Sequence, residues 1–328
     1  MIRIQGIERI GGIALLLTLA VSSVAWAAEK CSLNTRFSEQ QGRAGLCKFD
    51  AQKKSFEGTP VQQASCLTRE VKPGADIGDE TITSFLKDIV GKPAPTVQAV
   101  QTLLAAQNIK VADIGGPIQK PIAANYFIIH DTSTPNCSTP GRVRGCEVQG
   151  EFPTNRDDPS WRFNVDFGGH PKPYPDRAAH VMTNRVGSSI TEVDFADSIA
   201  TTKFETCVDK TAKVNLFVGA ENIQPRIGVP KIPKPGKKVD DSDAPTPGFT
   251  AKQYERLAML YLVASARRGQ WLIPAFHAVI DNFYTDGHDD PQHFEMAEFS
   301  AALQKHTQAI DAAASVQKLS GVDNTTAR

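Results

Sequence analysis

The chain has 328 residues, of which 36 are basic and 36 are acidic, so its formal net charge is zero. This balance argues against electrostatic binding to nucleic acid or to anionic membranes, because both need a basic surface. The length is sufficient for a substantial buried core, either in one large domain or in one domain with an elaborated N-terminus.

The first 27 residues are predicted to be a signal peptide. Arg3 and Arg9 supply the positive start, residues 13–24 are apolar, and Ala25 and Ala27 are the small residues that a signal peptidase requires. The apolar run is shorter than the ~20 residues that a transmembrane helix needs. We therefore expect cleavage after Ala27 and a periplasmic or secreted protein without membrane contact; an uncleaved anchor is the alternative.

Six cysteines follow the predicted signal peptide, and an even number in an exported chain favours disulfides over metal binding. They are Cys31, Cys47, Cys66, Cys137, Cys146 and Cys207. Cys137 and Cys146 flank a loop rich in Pro, Gly and Arg, and we expect them to pair. The sequence leaves the other connectivity open and is compatible with one free thiol.

Residues 28–120 have a weak pattern and are predicted to be an N-terminal extension of unclear role. Ser65 to Glu70 is interpreted as a strand. Apolar residues at helical spacing predict a helix over Pro95 to Ala106. The extension is interpreted as a clamp on the body of the protein or as a separate binding element.

The body is expected to span residues 121–314. Tyr126 to Ile129 is an aromatic and β-branched run, typical of a strand buried on both faces. Further strands are predicted over Ala178 to Asn184 and Val214 to Gly219. Six prolines mark 225–247 as an insertion within the domain.

The last third of the body predicts a helix, a strand and another helix. Thr250 and Gln253 form a capping-box pattern that begins the first helix, and Gly269 is placed to end it. Trp271 to Phe276 is predicted as a strand and Glu295 to Ala314 as the final helix. Residues 315–328 are predicted to be disordered. This order indicates an α/β domain with a central mixed β-sheet flanked by helices.

Two predicted strands are followed directly by histidines, His130 and His277, and Asp290 lies thirteen positions after the second. Each residue alone is weak evidence, but α/β sheets build their sites at the carboxyl ends of their strands. Two imidazoles and one carboxylate form a three-ligand site with an open fourth position, which a hydrolytic zinc ion needs for its water.

Six blocks of the sequence, which include His130, His277 and Asp290, together resemble the type 2 N-acetylmuramoyl-L-alanine amidases. These amidases are zinc enzymes that share a fold with peptidoglycan recognition proteins. In chain order the blocks read YFIIHDTS, AAHVMTNRVG, VNLFVGAENIQPR, FTAKQYERLAMLYL, IPAFHAVID and DGHDDPQHF. The resemblance covers about residues 123–303, and no single block is highly specific.

The resemblance implies a role for each matching position. His130 and His277 would be the zinc histidines, and Asp290 the third ligand. Glu221 would position or deprotonate the zinc water, and His180 would contact the substrate. The implied partner is peptidoglycan or a muropeptide, bound by a monomer.

The chain departs from the commonest family pattern next to the third ligand. Many members have a lysine two residues before the ligand aspartate, where this chain has His288. An imidazole could also donate a hydrogen bond to the oxyanion, or His288 could only stabilise the loop. The interval between His277 and Asp290 is also longer than usual, so Asp286 and Asp289 are rival ligands.

Three functions are therefore compatible with the sequence. The first is a zinc amidase that cleaves the bond between N-acetylmuramic acid and L-alanine. The second is a non-catalytic module that binds muropeptides with the same groove. The third is a zinc peptidase acting within the stem peptide, although the chain lacks the His-Glu-x-x-His pattern of the commonest metalloproteases.

Overall fold

The structure is a computed structural model, and it describes residues 47–50, 52–72, 76–133, 179–208, 215–226, 243–282, 284 and 288–321. Several predictions fall outside these residues: the signal peptide, the Cys137–Cys146 pair, most of the proline-rich insertion and the end of the predicted disordered tail.

The described elements are given in chain order. The strands are β1 (Phe49–Asp50), β2 (Ser55–Phe56), β3 (Arg69–Lys72), β4 (Asp76–Glu80), β5 (Tyr126–Asp131), β6 (Val181–Thr183), β7 (Ser189–Thr191), β8 (Phe217–Asn222) and β9 (Ile273–Phe276). The α-helices are α1 (Pro60–Leu67), α2 (Ser84–Ile89), α3 (Val97–Ala106), α4 (Lys203–Val208), α5 (Ala251–Arg268), α6 (His277–Asp281) and α7 (Met296–Gly321).

The predicted central mixed sheet is confirmed. Its five strands lie in the order β7-β6-β8-β5-β9, and only β7 runs antiparallel to its neighbour. All six residues of β5 are buried, as the apolar run predicted for a central strand. The carboxyl ends of β5, β8 and β9 consequently meet at one edge of the sheet.

Helix α5 begins and ends where the sequence predicted. The Thr250 side chain accepts from the main-chain N–H of Gln253, whose own side chain accepts from the N–H of Thr250. Gly269 ends the helix in the left-handed conformation at φ 77°, which a residue with a side chain rarely adopts. The helix packs against α7 and against strands β6 and β8, so most of it is buried.

The N-terminal segment is part of the same core as the body. Phe56, Leu67 and Leu86 belong to one buried cluster with the residues of β5 and α5. The Tyr126 hydroxyl joins the two parts, since it donates to Gln63 Oε1 at 2.7 Å and accepts from the N–H of Phe56 at 2.8 Å. The described residues between 47 and 120 therefore share one hydrophobic core with the body that the sequence predicted.

The expected strand at Ser65 to Glu70 is wrong in its first half. Helix α1 occupies Pro60–Leu67, because Thr59 forms a capping box with Gln62 and Pro60 takes the first turn, where proline is favoured. Strand β3 begins only at Arg69.

Two further differences concern cysteines and the C-terminus. Cys47 and Cys66 form a disulfide, and Cys207 is also disulfide-bonded, so no described cysteine is a free thiol. Helix α7 continues to Gly321, so the predicted disordered tail begins inside a helix. None of the helices in the described part of the chain combines the length and apolar character that crossing a bilayer requires.

Candidate metal centre

The candidate site lies where three parallel strands end. His130 in β5 is the register partner of Glu221 in β8, so the two side chains are neighbours on adjacent strands. Ile129 pairs with Phe276 of β9, which places His277, the next residue, beside His130. His277 is the first residue of α6, and its imidazole ring lies 4.3 Å from that of His130 between centroids.

The structure brings the three predicted ligands together. One ligand atom from each of His130, His277 and Asp290 lies within 4.8 Å of the others, and all three side chains are buried. Asp290 approaches His277 Nδ1 at 2.9 Å and His130 Nδ1 at 3.6 Å. The imidazole ring centroids are 4.3 Å apart. This geometry forms a group that could hold a metal ion.

The protonation states of these three side chains depend on one another. Burial alone would lower the pKa of His277, but the carboxylates of Asp290 and Asp281 outweigh it and hold the pKa well above its usual range. Burial would raise the pKa of Asp290, yet the two histidines keep it well below its usual value. Burial and the neighbouring His277 lower the pKa of His130 to about 4.

The donor set is one that could hold a metal ion. In both histidines Nδ1 is the nitrogen that faces Asp290. A neutral imidazole and an ionised carboxylate are the forms that bind a metal, and His130 and Asp290 already favour those forms. A cation bound between these side chains would replace the positive charge that protonated His277 otherwise provides beside the Asp290 carboxylate.

Glu221 stands at the margin of the ligand group. It lies within β8, whereas the sequence placed it just beyond the strand, and its Oε1 is 3.9 Å from His130 Nδ1. Its Oε2 is buried and has no hydrogen-bond partner. Burial, followed by the charge of Asp290, raises the pKa of Glu221 well above its usual range.

His288 lies on the exposed side of the site. Its ring stacks on the His277 ring at 4.7 Å between centroids, and 62% of its side chain is exposed. Its Nδ1 is 3.9 Å from Asp290 Oδ1. Burial of part of the ring and the charge of His277 lower the pKa of His288, which favours its neutral form. His288 therefore lies beside the group formed by His130, His277 and Asp290 and is not a member of it.

The structure places His180, the predicted substrate contact, in the interior of the fold. The side chain is fully buried, and Gly219 N–H donates to its Nδ1 at 3.0 Å while its Nε2 lies 3.1 Å from the carbonyl oxygen of Asp197. Burial lowers the pKa of His180 to about 4. Because both ring nitrogens bind the main chain, His180 has a structural role between β8 and the turn at Asp197.

Asp289, the first rival ligand, lies outside the group of three and belongs to a different network. Its Oδ2 accepts from Gln292 Nε2 at 2.5 Å, and its Oδ1 lies 3.8 Å from Arg226 Nη2. The fully buried Arg226 also binds Asp131 Oδ1 at 2.7 Å, and Asp131 Oδ2 accepts from the N–H of Gln292 at 3.0 Å. This network anchors the loop that carries Asp290. The other rival, Asp286, lies outside the described residues.

Sequence reasoning missed Asp281. Its Oδ2 lies 2.8 Å from His277 Nε2, the ring nitrogen opposite to the one that faces Asp290. The four-residue spacing of His277 and Asp281 would have indicated this contact, because such residues share one face of a helix. The contact was missed because His277 was interpreted as the residue at the end of a strand and not as the start of a helix.

Comparisons with family models, with curated proteins and with solved structures found no match for this chain. The amidase resemblance of the sequence therefore stands as a basis for a proposal. The class that fold and site define is an α/β protein with a central mixed sheet and a buried His-His-Asp group suited to a metal ion.

Proposed function

We propose that the protein is a zinc-dependent amidase that hydrolyses the bond between N-acetylmuramic acid and L-alanine in peptidoglycan. The observation that supports metal-dependent hydrolysis is the convergence of His130, His277 and Asp290 with Glu221 beside them. The choice of this amide bond comes from the sequence blocks that resemble the type 2 amidases.

Zinc is proposed because two imidazoles and one carboxylate match the donors of hydrolytic zinc sites, which leave one position open. When bound, the ion would polarise the amide carbonyl and lower the pKa of a water molecule toward ~7. With neutral histidines the site would carry a net charge of about +1, which favours an oxyanion.

Glu221 is proposed to carry the proton. The carboxylate takes a proton from the attacking water, whose oxygen forms a bond to the amide carbon. It then delivers that proton to the nitrogen of the leaving amine as the C–N bond breaks. Burial supports this role, because it raises the pKa of Glu221 and so makes its carboxylate a stronger proton acceptor than one in water.

His288 is proposed to donate a hydrogen bond to the oxyanion. Its exposed ring, stacked on His277, is placed where a substrate can reach it. His288→Ala should therefore lower kcat while leaving zinc content unchanged. Loss of zinc in this variant, measured by elemental analysis, would instead indicate the alternative role in loop stability.

Export is proposed on two grounds. The sequence begins with a signal-peptide pattern, and the Cys47–Cys66 disulfide is typical of oxidising compartments. A periplasmic or secreted location would give the protein access to peptidoglycan.

The test is incubation of the purified protein and zinc with soluble muropeptides, followed by mass spectrometry of the products. Free stem peptides and sugars without alanine are the expected products. Cleavage inside the stem would indicate a peptidase, and binding without turnover would indicate a recognition module. No cleavage and no binding would contradict the proposed substrate class.

A further inference from the structure

One buried carboxylate next to the ligand group has no part in the mechanism above. Asp281 ends the short helix α6 that His277 begins, and its side chain is fully buried. Its Oδ2 lies 2.8 Å from Nε2 of His277. A carboxylate accepts hydrogen bonds, so this contact places the ring proton of a neutral His277 on Nε2. The lone pair of Nδ1 then faces Asp290.

A different part of the chain fixes Asp281 itself. The main-chain N–H of Lys203 donates to Asp281 Oδ2 at 2.9 Å, and that of Phe204 donates to Oδ1 at 2.8 Å. Both donors belong to the first turn of α4, where N–H groups lack partners within the helix. The carboxylate therefore accepts three hydrogen bonds, two of them from the backbone.

The turn that supplies these donors is itself held in place. Glu205 in the same turn accepts from the N–H of Thr201 at 2.8 Å and from its hydroxyl at 3.0 Å. The N–H of Glu205 is bound by the Thr202 hydroxyl at 3.0 Å, and Cys207 is disulfide-bonded. Asp281 consequently cannot turn away from His277 without breaking main-chain hydrogen bonds.

We propose that Asp281 is a positioning residue of the metal centre: it selects Nδ1 of His277 as the metal-binding atom and holds the imidazole in that orientation. The inference rests on the proposed function only through its metal ion, and it is independent of the substrate. In metal sites, loss of such a partner of a ligating histidine typically costs about 10–100-fold in metal affinity.

The first test uses the wild-type protein with zinc and ¹⁵N-labelled histidine. NMR of the ring nitrogens should show that His277, assigned with the His277→Gln variant, carries its proton on Nε2 and binds the metal through Nδ1. Metal binding through Nε2 would overturn the inference, whatever its effect on activity. This result does not depend on whether any Asp281 variant folds.

The second test compares zinc affinities, measured by competition with a chelator, for wild type, Asp281→Asn and Asp194→Asn. Asparagine keeps the size of the side chain but offers one acceptor oxygen to three donors. We expect a loss of about 10–100-fold in Asp281→Asn. Asp194 is the matched control, because it also accepts hydrogen bonds from main chain and side chain, from Ala196 and Arg267.

The outcomes separate this inference from the function on which it rests. A wild type that binds no zinc would overturn the proposed function and with it the role of Asp281. A wild type that binds zinc, with the same affinity in Asp281→Asn, would overturn only the role of Asp281. An equal loss in Asp194→Asn would also overturn it, because the effect would then be a general consequence of losing a partnered carboxylate.

Discussion

At the scale of single residues, the site owes its chemistry to burial of ionisable groups around one small volume. His277 and Asp290 stabilise each other's charged forms, whereas at Glu221 the effect of burial is the largest and the pKa is raised. One set of neighbouring groups thus contains a cluster that could hold a metal ion and, beside it, the carboxyl that we propose to transfer the proton.

The role proposed for Glu221 predicts a separation between metal binding and catalysis. Glu221→Gln keeps the shape of the side chain but cannot accept the proton, so hydrolysis should fall by about 10²–10⁴-fold. Zinc content should stay at the wild-type level, because Glu221 is not one of the three ligands. Glu255→Gln is the control, since Glu255 pairs with Lys305 at the surface. Wild-type activity in Glu221→Gln would remove this residue from the mechanism.

At the scale of elements, the parallel strands decide which residues meet. Apolar runs that lead into histidine predicted from the sequence that His130 and His277 lie close together, because parallel strands bring their carboxyl ends to one edge of the sheet. The capping residues Thr250 and Gly269 likewise predicted the bounds of α5. The physical cause of each of these patterns lies in neighbouring residues of the chain, so the elements can be predicted without knowledge of the fold.

Other parts of the arrangement could not be predicted from local patterns. His180 ends up between β8 and a turn because of strand pairing, which no short sequence pattern specifies. The partners of Asp281 come from α4, more than seventy residues earlier in the chain. Such contacts depend on tertiary packing. The short helix α6 was not predicted, so the spacing of His277 and Asp281 did not indicate a contact.

The link that His180 makes between elements predicts a dependence of stability on pH. Its pKa is about 4 in the folded protein, below the ordinary 6.5 expected when unfolded. The unfolded chain therefore binds more protons between these values, and this contribution to stability is complete above about pH 6.5 and lost as the pH falls through about 4. Its full size is on the order of 3 kcal/mol.

Urea unfolding of wild type and His180→Gln across this pH range measures the effect. The variant should lose less stability than wild type as the pH falls, and the difference isolates His180 because all other histidines are shared. Parallel pH curves for the two proteins would contradict a buried neutral His180.

At the scale of the whole molecule, the N-terminal segment and the body form one hydrophobic core. Phe56 stacks on Phe204 at 5.5 Å between centroids and meets Tyr126 edge-on at 5.3 Å. Phe204 lies in the turn that holds Asp281, so the core reaches from the N-terminal segment to the surroundings of the metal group. The sequence left the role of this segment open because its pattern is weak.

Removing the Phe56 ring should destabilise the entire domain. Phe56→Ala is expected to cost about 3–5 kcal/mol, because the side chain is almost fully buried. Thermal unfolding should remain a single transition at a lower midpoint. A separate early transition that leaves the five-stranded sheet folded would show that the N-terminal segment is an independent unit.

The central claim is that His130, His277 and Asp290 bind one metal ion, and metal content tests it most directly. Elemental analysis should be made of the purified protein beside His130→Ala, His277→Ala and the control His306→Ala, a buried histidine that binds the Glu255 carbonyl. We predict one zinc per chain in wild type and His306→Ala, and none in the two ligand variants. A wild type without metal after supplementation with zinc, or ligand variants that retain it, would contradict the account.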